Sequence, residues 1–136
     1  MTIVIAAGGT GGHLYPAVAL AREFLRRDPA ASIVFVGTTK GIESKVLAHE
    51  GFPLELITAK PVMGKGLGEA LRVVEAGRAA ALFTDWRQLP TTTDALQLGG
   101  WVWRGLAPWI KPTARPQMGR ISAAAEYVVW GTAGPS

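Results

Sequence analysis

The sequence contains no cysteine among its 136 residues. A disulfide framework, a thiolate metal site and a cysteine nucleophile are therefore excluded, and a cytoplasmic location is expected. Charged residues are also few, at 18%, while hydrophobic residues make up 49%, a balance typical of a packed globular protein. No apolar segment reaches membrane-spanning length, and we expect no signal peptide. A chain of this length predicts a single domain over residues 1–136.

The patterns of two common nucleotide sites are missing as well. A nicotinamide-binding protein needs a third glycine where this chain has Leu14, and an acidic residue where it has Thr38, Thr39 and Lys40. No Lys-Ser or Lys-Thr pair follows the first glycines, so the loop is not of the Walker type. We therefore expect no NAD site, and the sequence predicts no metal site either.

Short apolar runs alternate with helical patterns along the chain. Strands are predicted at residues 3–7, 33–36, 54–57, 79–83, 101–109 and 126–130. Helices are predicted from Pro16, taken as part of a first turn, to residue 27, and then over 42–50, 69–75 and 93–98. This order predicts an α/β fold: a single Rossmann-like three-layer sandwich with a mainly parallel sheet of about six strands and an antiparallel pair at its carboxyl-terminal edge.

A glycine-rich stretch lies between the first strand and the first helix, and its central residues are Gly9, Thr10, Gly11, Gly12 and His13. Glycines allow a ligand to approach the backbone, and a helix amino terminus presents unpaired N–H groups and a partial positive charge. These five residues are our predicted phosphate or diphosphate site. The alternative is that the glycines only make a tight turn that lets the strand and helix pack closely.

Residues 1–66 resemble the amino-terminal segment of the MurG N-acetylglucosaminyltransferases. The resemblance is carried by residues 3–17, 36–38, 41–43, 51–54 and 64–66. It implies that the glycine-rich loop receives the diphosphate of a lipid-linked acceptor, and that His13 is the catalytic base. His13 could instead cap the loop, while His49 is expected on the surface near a helix end. The nucleotide-sugar domain of that family has no recognisable counterpart here, so we do not expect the chain to be active alone.

Residues 67–136 resemble the middle of a DNA amino-methyltransferase. The resemblance is carried by residues 71–73, 83–90, 93–96, 100–105, 109, 111, 115–117, 119–120 and 126–131. The Asp-Pro-Pro-Tyr type motif and the S-adenosylmethionine glycine motif of that family are absent, so no S-adenosylmethionine site is expected. Lys111, Arg115 and Arg120 could contact a nucleic-acid backbone, although a solvated loop is favoured.

Two features of this second segment lead to structural expectations. Four of the five tryptophans lie in its last two predicted strands, and three of them, Trp101, Trp103 and Trp109, alternate along one strand, which favours core packing over a base-stacking platform. Asp85 is expected to cap the turn that follows it.

The favoured hypothesis is a recombinant or engineered chimera with no complete active site that retains at most phosphate binding. One alternative is a fragment of a lipid-I N-acetylglucosaminyltransferase; another is a nucleic-acid-binding remnant of a methyltransferase. Exposed sheet edges suggest that the chain could form a homo-oligomer.

Overall fold

The protein is described here by a computed structural model. The described residues are 1–7, 11–38, 42–57, 79–111 and 125–134. The helix predicted over 69–75 lies outside them.

Six strands form one sheet in the order β3-β2-β1-β4-β6-β5. The strands are β1 (Thr2–Ala6), β2 (Ser32–Thr38), β3 (Leu54–Ile57), β4 (Ala79–Thr84), β5 (Trp101–Ile110) and β6 (Ala125–Ala133). The first four are parallel neighbours, whereas β6 is antiparallel to both β4 and β5. The predicted six-stranded, mainly parallel sheet with an antiparallel pair at one edge is confirmed. β3 and β5 are the edge strands, so association through a sheet edge stays a prediction.

The sheet is covered by helices on both faces. The helices are α1 (Gly11–Arg27), α2 (Glu43–Glu50) and α3 (Leu89–Leu98). On one face, Leu14, Val18 and Ala21 of α1 and Leu47 of α2 pack against alternate strand residues such as Phe35. On the other face, Leu96 of α3 packs with Leu82, Trp101 and Val129. These two apolar layers confirm the predicted three-layer sandwich.

Helix α1 begins earlier than the sequence suggested. Pro16 lies inside the helix and not in its first turn, because the helix already starts at Gly11. Proline has no N–H to donate to the preceding turn, which makes an early start locally unfavourable. Leu14 offsets this cost, since its side chain is buried in the core beneath the first turn. Tertiary packing has therefore extended the helix towards the glycine-rich loop.

The ends of the other two helices follow local signals. Gly51 closes α2 in the left-handed conformation with φ 75, as its position after the apolar repeat predicted. Helix α3 starts at Leu89, four residues before the predicted start at Thr93, and has Pro90 in its first turn. The predicted cap at Asp85 is confirmed, because its Oδ1 accepts hydrogen bonds from the backbone N–H groups of Arg87 (2.8 Å) and Gln88 (3.0 Å).

None of the helices in the described part of the chain is long and apolar enough to cross a membrane.

The expectation that the tryptophans pack in the core is correct for Trp101 and wrong for the others. Trp101 is 6% exposed, whereas Trp103, Trp109 and Trp130 are each between 40% and 45% exposed. The pairing of β5 with β6 shifts between Trp103 and Gly105, which leaves Arg104 as an extra residue in the strand. A one-residue bulge reverses the side-chain alternation beyond it, so Trp109 lies on the opposite face from Trp101 and Trp103. The outer position of β5 explains the exposure of Trp103 and Trp109, whereas Trp130 lies on the inner strand β6.

Candidate functional site

The candidate site lies where the carboxyl ends of the parallel strands meet the amino end of α1. Gly11 and Gly12 form the first helical turn, while Gly9 and Thr10 lie outside the described residues. The backbone N–H groups of a first turn have no partner within their own helix, and they carry the positive end of the helix dipole. The structure thus places residues 11–13 where an anion could be bound.

His13 does not stand alone in this turn. Its imidazole Nε2 lies 2.9 Å from Oε2 of Glu126, and the two side chains are only 15% and 16% exposed. Glu126 is near the start of β6, far from the glycine-rich loop in the sequence. Since β6 runs antiparallel to β4, its amino end lies at the carboxyl end of β4 and brings Glu126 to the same edge as His13.

The carboxylate of Glu126 is held from a second direction. Its Oε1 accepts a hydrogen bond from the ammonium group of Lys111, which directly follows β5. Glu126 also pairs with Trp109 in the β5–β6 ladder, so its backbone is fixed by a neighbouring strand. The His13–Glu126–Lys111 cluster therefore joins α1 to the last two strands of the sheet.

One oxygen of this cluster lacks a regular hydrogen bond. Oε2 of Glu126 is buried and accepts no well-directed hydrogen bond from the described residues, despite the 2.9 Å approach of His13 Nε2. The two atoms are therefore at ion-pair distance, but the ring N–H is poorly aligned with the oxygen. Such misalignment is common in ligand-free sites, where hydrogen bonds often tighten only when a ligand binds.

The cations proposed for nucleic-acid contact are not equivalent. Lys111 is paired with Glu126, so its charge is already opposed. Arg115 and Arg120 lie outside the described residues. His49 is exposed near the end of α2, as expected. Within the described ranges, no three His, Asp or Glu side chains come together to hold a metal ion.

Sequence reasoning selected His13 and missed Glu126. Residue 126 sits in an apolar strand pattern, and nothing in its immediate neighbours marks it as part of a site. An acidic residue at the start of a predicted strand was the one available signal, but its partner depends on strand order. That order is a property of the assembled sheet.

A comparison with protein-family models identifies the first two thirds of the chain. The model of the glycosyltransferase family 28 N-terminal domain matches residues 3–93. The chain belongs to glycosyltransferase family 28. The match extends beyond the boundary near Gly66 at which the sequence resemblance was placed, and it includes β4 and the first turn of α3.

Two curated proteins similar to this chain share one description, UDP-N-acetylglucosamine--N-acetylmuramyl-(pentapeptide) pyrophosphoryl-undecaprenol N-acetylglucosamine transferase. The relative from Pelobacter propionicus is 51% identical over 88 residues, which are 65% of this chain and 22% of that protein. The relative from Geobacter sulfurreducens is 56% identical over 66 residues, which are 48% of this chain and 18% of that protein. The chain therefore spans about a fifth of the length of these relatives.

The solved structure of Acinetobacter baumannii MurG has a similar fold. It superposes with a TM-score of 0.56 at 24% sequence identity, covering 73% of this chain and 33% of that one. This likeness supports the Rossmann-like fold of the family 28 segment. A complex of M1.HpyAVI with SAM reaches a TM-score of only 0.48 at 12% identity, which is too weak to bear on the origin of residues 67–136.

Proposed function

We propose that this chain is the acceptor-side part of a family 28 glycosyltransferase and that it binds a phosphate or diphosphate group at the first turn of α1. The observation that carries the proposal is the position of that turn. It begins within the glycine-rich stretch of a family 28 sequence, at the carboxyl edge of the parallel strands. Ligands of open α/β sheets bind at this edge.

The proposed contacts come mainly from the backbone. The N–H groups of Gly11, Gly12 and His13 would donate to the anion, and by family resemblance Gly9 and Thr10 would complete the loop around it. The imidazole of His13 would take the separate role of base towards an acceptor hydroxyl. The names of the curated relatives specify a pyrophosphoryl-undecaprenol acceptor, and a lipid-linked diphosphate is accordingly the class of ligand proposed here.

The isolated chain is proposed to bind without catalysing transfer. Its relatives extend well beyond the matched region, which is 22% of the length of the Pelobacter propionicus protein. In that relative, most of the chain therefore lies outside the part matched here, and we propose that the donor-sugar site lies there. Incubation of the purified chain with UDP-N-acetylglucosamine and a lipid-linked acceptor should yield no product, and efficient transfer would contradict this part of the proposal.

A composite origin of the chain is the remaining part of the proposal. It is supported by the family match, which ends at residue 93 and leaves β5 and β6 beyond it. The resemblance of the later residues to an amino-methyltransferase points the same way. Sequencing the source locus in independent isolates tests it, because one uninterrupted reading frame in all of them would argue against a recombinant or engineered fusion.

The binding proposal is tested by titrating the 15N-labelled chain with pyrophosphate. We expect saturable shifts of the amide signals of residues 11–13, with a dissociation constant of about 1 mM, equivalent to about 4 kcal/mol. Gly12→Asp should weaken binding at least about tenfold, because a fixed carboxylate at the helix amino end repels the anion.

The matched control is Ser44→Asp, which adds the same charge to the exposed first turn of α2. It should leave the pyrophosphate affinity unchanged. Equal weakening by both variants, or shifts centred on α2, would show that pyrophosphate responds only to overall charge.

A further inference from the structure

We infer that Glu126 is a positioning residue for His13: it binds the Nε2 side of the imidazole and so leaves Nδ1 as the nitrogen that faces a ligand. The inference deepens the proposed function and rests on it, because the role of His13 as a base is part of that proposal. It begins from the 2.9 Å separation of His13 Nε2 and Glu126 Oε2.

The hydrogen bonds that the carboxylate requires decide which group is the donor in this contact. Oε1 of Glu126 is already satisfied by Lys111, whereas Oε2 is buried and accepts no regular hydrogen bond from the described residues. Leaving a buried charged oxygen without a donor is costly. Of the donors that the described residues place at Oε2, His13 Nε2 is at hydrogen-bond distance, so the proton of the neutral ring belongs on Nε2.

The tautomer decides what the other ring nitrogen can do. A neutral imidazole with its proton on Nε2 has a lone pair on Nδ1, which accepts a hydrogen bond and cannot donate one. Such a nitrogen suits a sugar hydroxyl and not a phosphate oxygen. Glu126 therefore allows His13 to take two roles. Its backbone N–H remains available to the anion, while its side chain accepts a hydrogen bond from the hydroxyl.

Glu126 is well suited to hold a fixed position. Its strand lies between β4 and β5, and both neighbours form ladders with it. Its side chain is only 16% exposed and is also anchored by Lys111. A carboxylate constrained in this way restricts the imidazole more than a flexible surface residue would.

The test is an NMR measurement of the histidine rings in the ligand-free chain, so its outcome does not depend on whether pyrophosphate binds. The spectra are recorded at alkaline pH, because the two tautomers are forms of the neutral imidazole. His49 is exposed and provides the internal comparison, and His49→Gln assigns the two sets of signals. We expect the ring nitrogen signals of His13 to show that the proton of the neutral ring is on Nε2.

Glu126→Met removes the carboxylate while keeping a long apolar side chain. The ring nitrogen signals of His13 should then move to those of His49. Glu50→Met is the matched control, since Glu50 is another shielded glutamate in an ion pair, with Arg22, and its side chain is 20% exposed. That variant should leave the His13 signals unchanged.

Protonation of Nδ1 in the wild-type chain, His13 signals that match those of His49, or unchanged His13 signals in Glu126→Met would each overturn the inference. If Glu126→Met loses its folded spectrum, the wild-type measurement alone decides. A wild-type chain with the expected tautomer that does not bind pyrophosphate would refute the proposed function and leave the role of Glu126 intact.

Discussion

Replacing Gly131 with alanine tests how closely the last strands are packed on the rest of the sheet. A Cβ at this position would lie 2.6 Å from the backbone oxygen of Val102 and 2.9 Å from Cδ2 of Leu96, where ordinary contact begins at 3.4 Å. The oxygen belongs to a neighbouring strand backbone and cannot rotate away. Because β6 is paired on both sides, it cannot move without disturbing β4 or β5.

Overpacking of this kind costs about 1–3 kcal/mol. For a chain of 136 residues the unfolding entropy is about 0.3 kcal/mol/K, so Gly131→Ala should lower Tm by about 3–10 °C in a thermal melt followed by circular dichroism.

Gly105→Ala is the control for this prediction. Its new Cβ would meet Nε1 of Trp130 at 2.8 Å, but that ring is 43% exposed and can turn into solvent. We expect a loss below about 1 kcal/mol. Equal destabilisation by the two alanines, or a Gly131→Ala chain as stable as wild type, would refute the reasoning that the β5–β6 contact is rigid.

Two further predictions concern a salt bridge on α1 and the turn before α3. Hydrogen bonds from the side chains of Arg26 and Arg27 lower the pKa of Glu23 from its usual 4.5 to about 2, so the stability that this carboxylate contributes is present above pH 4.5 and is lost as the pH falls towards 2. The difference in unfolding free energy between wild type and Glu23→Gln should therefore shrink over that interval in urea titrations, and a constant difference would contradict it. Asp85→Ala should cost about 1 kcal/mol because two backbone N–H groups lose their acceptor, whereas Asp94→Ala on the exposed side of α3 should have little effect. Equal urea midpoints for the two variants would show that the cap contributes nothing.

Much of the fold could be predicted because its signals are local. The parallel strands are continuous β-branched or alanine-rich runs, and Gly51 marks the end of α2 through its conformational freedom. The starts of α1 and α3 were predicted too late. For α1 the local evidence of Pro16 was misleading, because burial of Leu14 stabilises an earlier turn that proline alone disfavours.

The candidate site was predicted only in part. The glycine-rich stretch and His13 are adjacent in sequence, so their pattern could be recognised directly. Glu126, which also pairs with Lys111, is distant from His13 in the sequence, and its contact with His13 exists only once β6 has inserted between β4 and β5. The residues next to these positions in the sequence do not indicate that insertion.

The amino-acid sequence by itself determined which segments become strands and that the first four lie parallel under covering helices. Tertiary structure alone decided the faces of the tryptophans and the partner of His13. The physical reason is that register and strand order arise from long-range backbone pairing: the single extra residue at Arg104 turns Trp109 to the other face, and the antiparallel direction of β6 carries Glu126 to the edge where α1 begins.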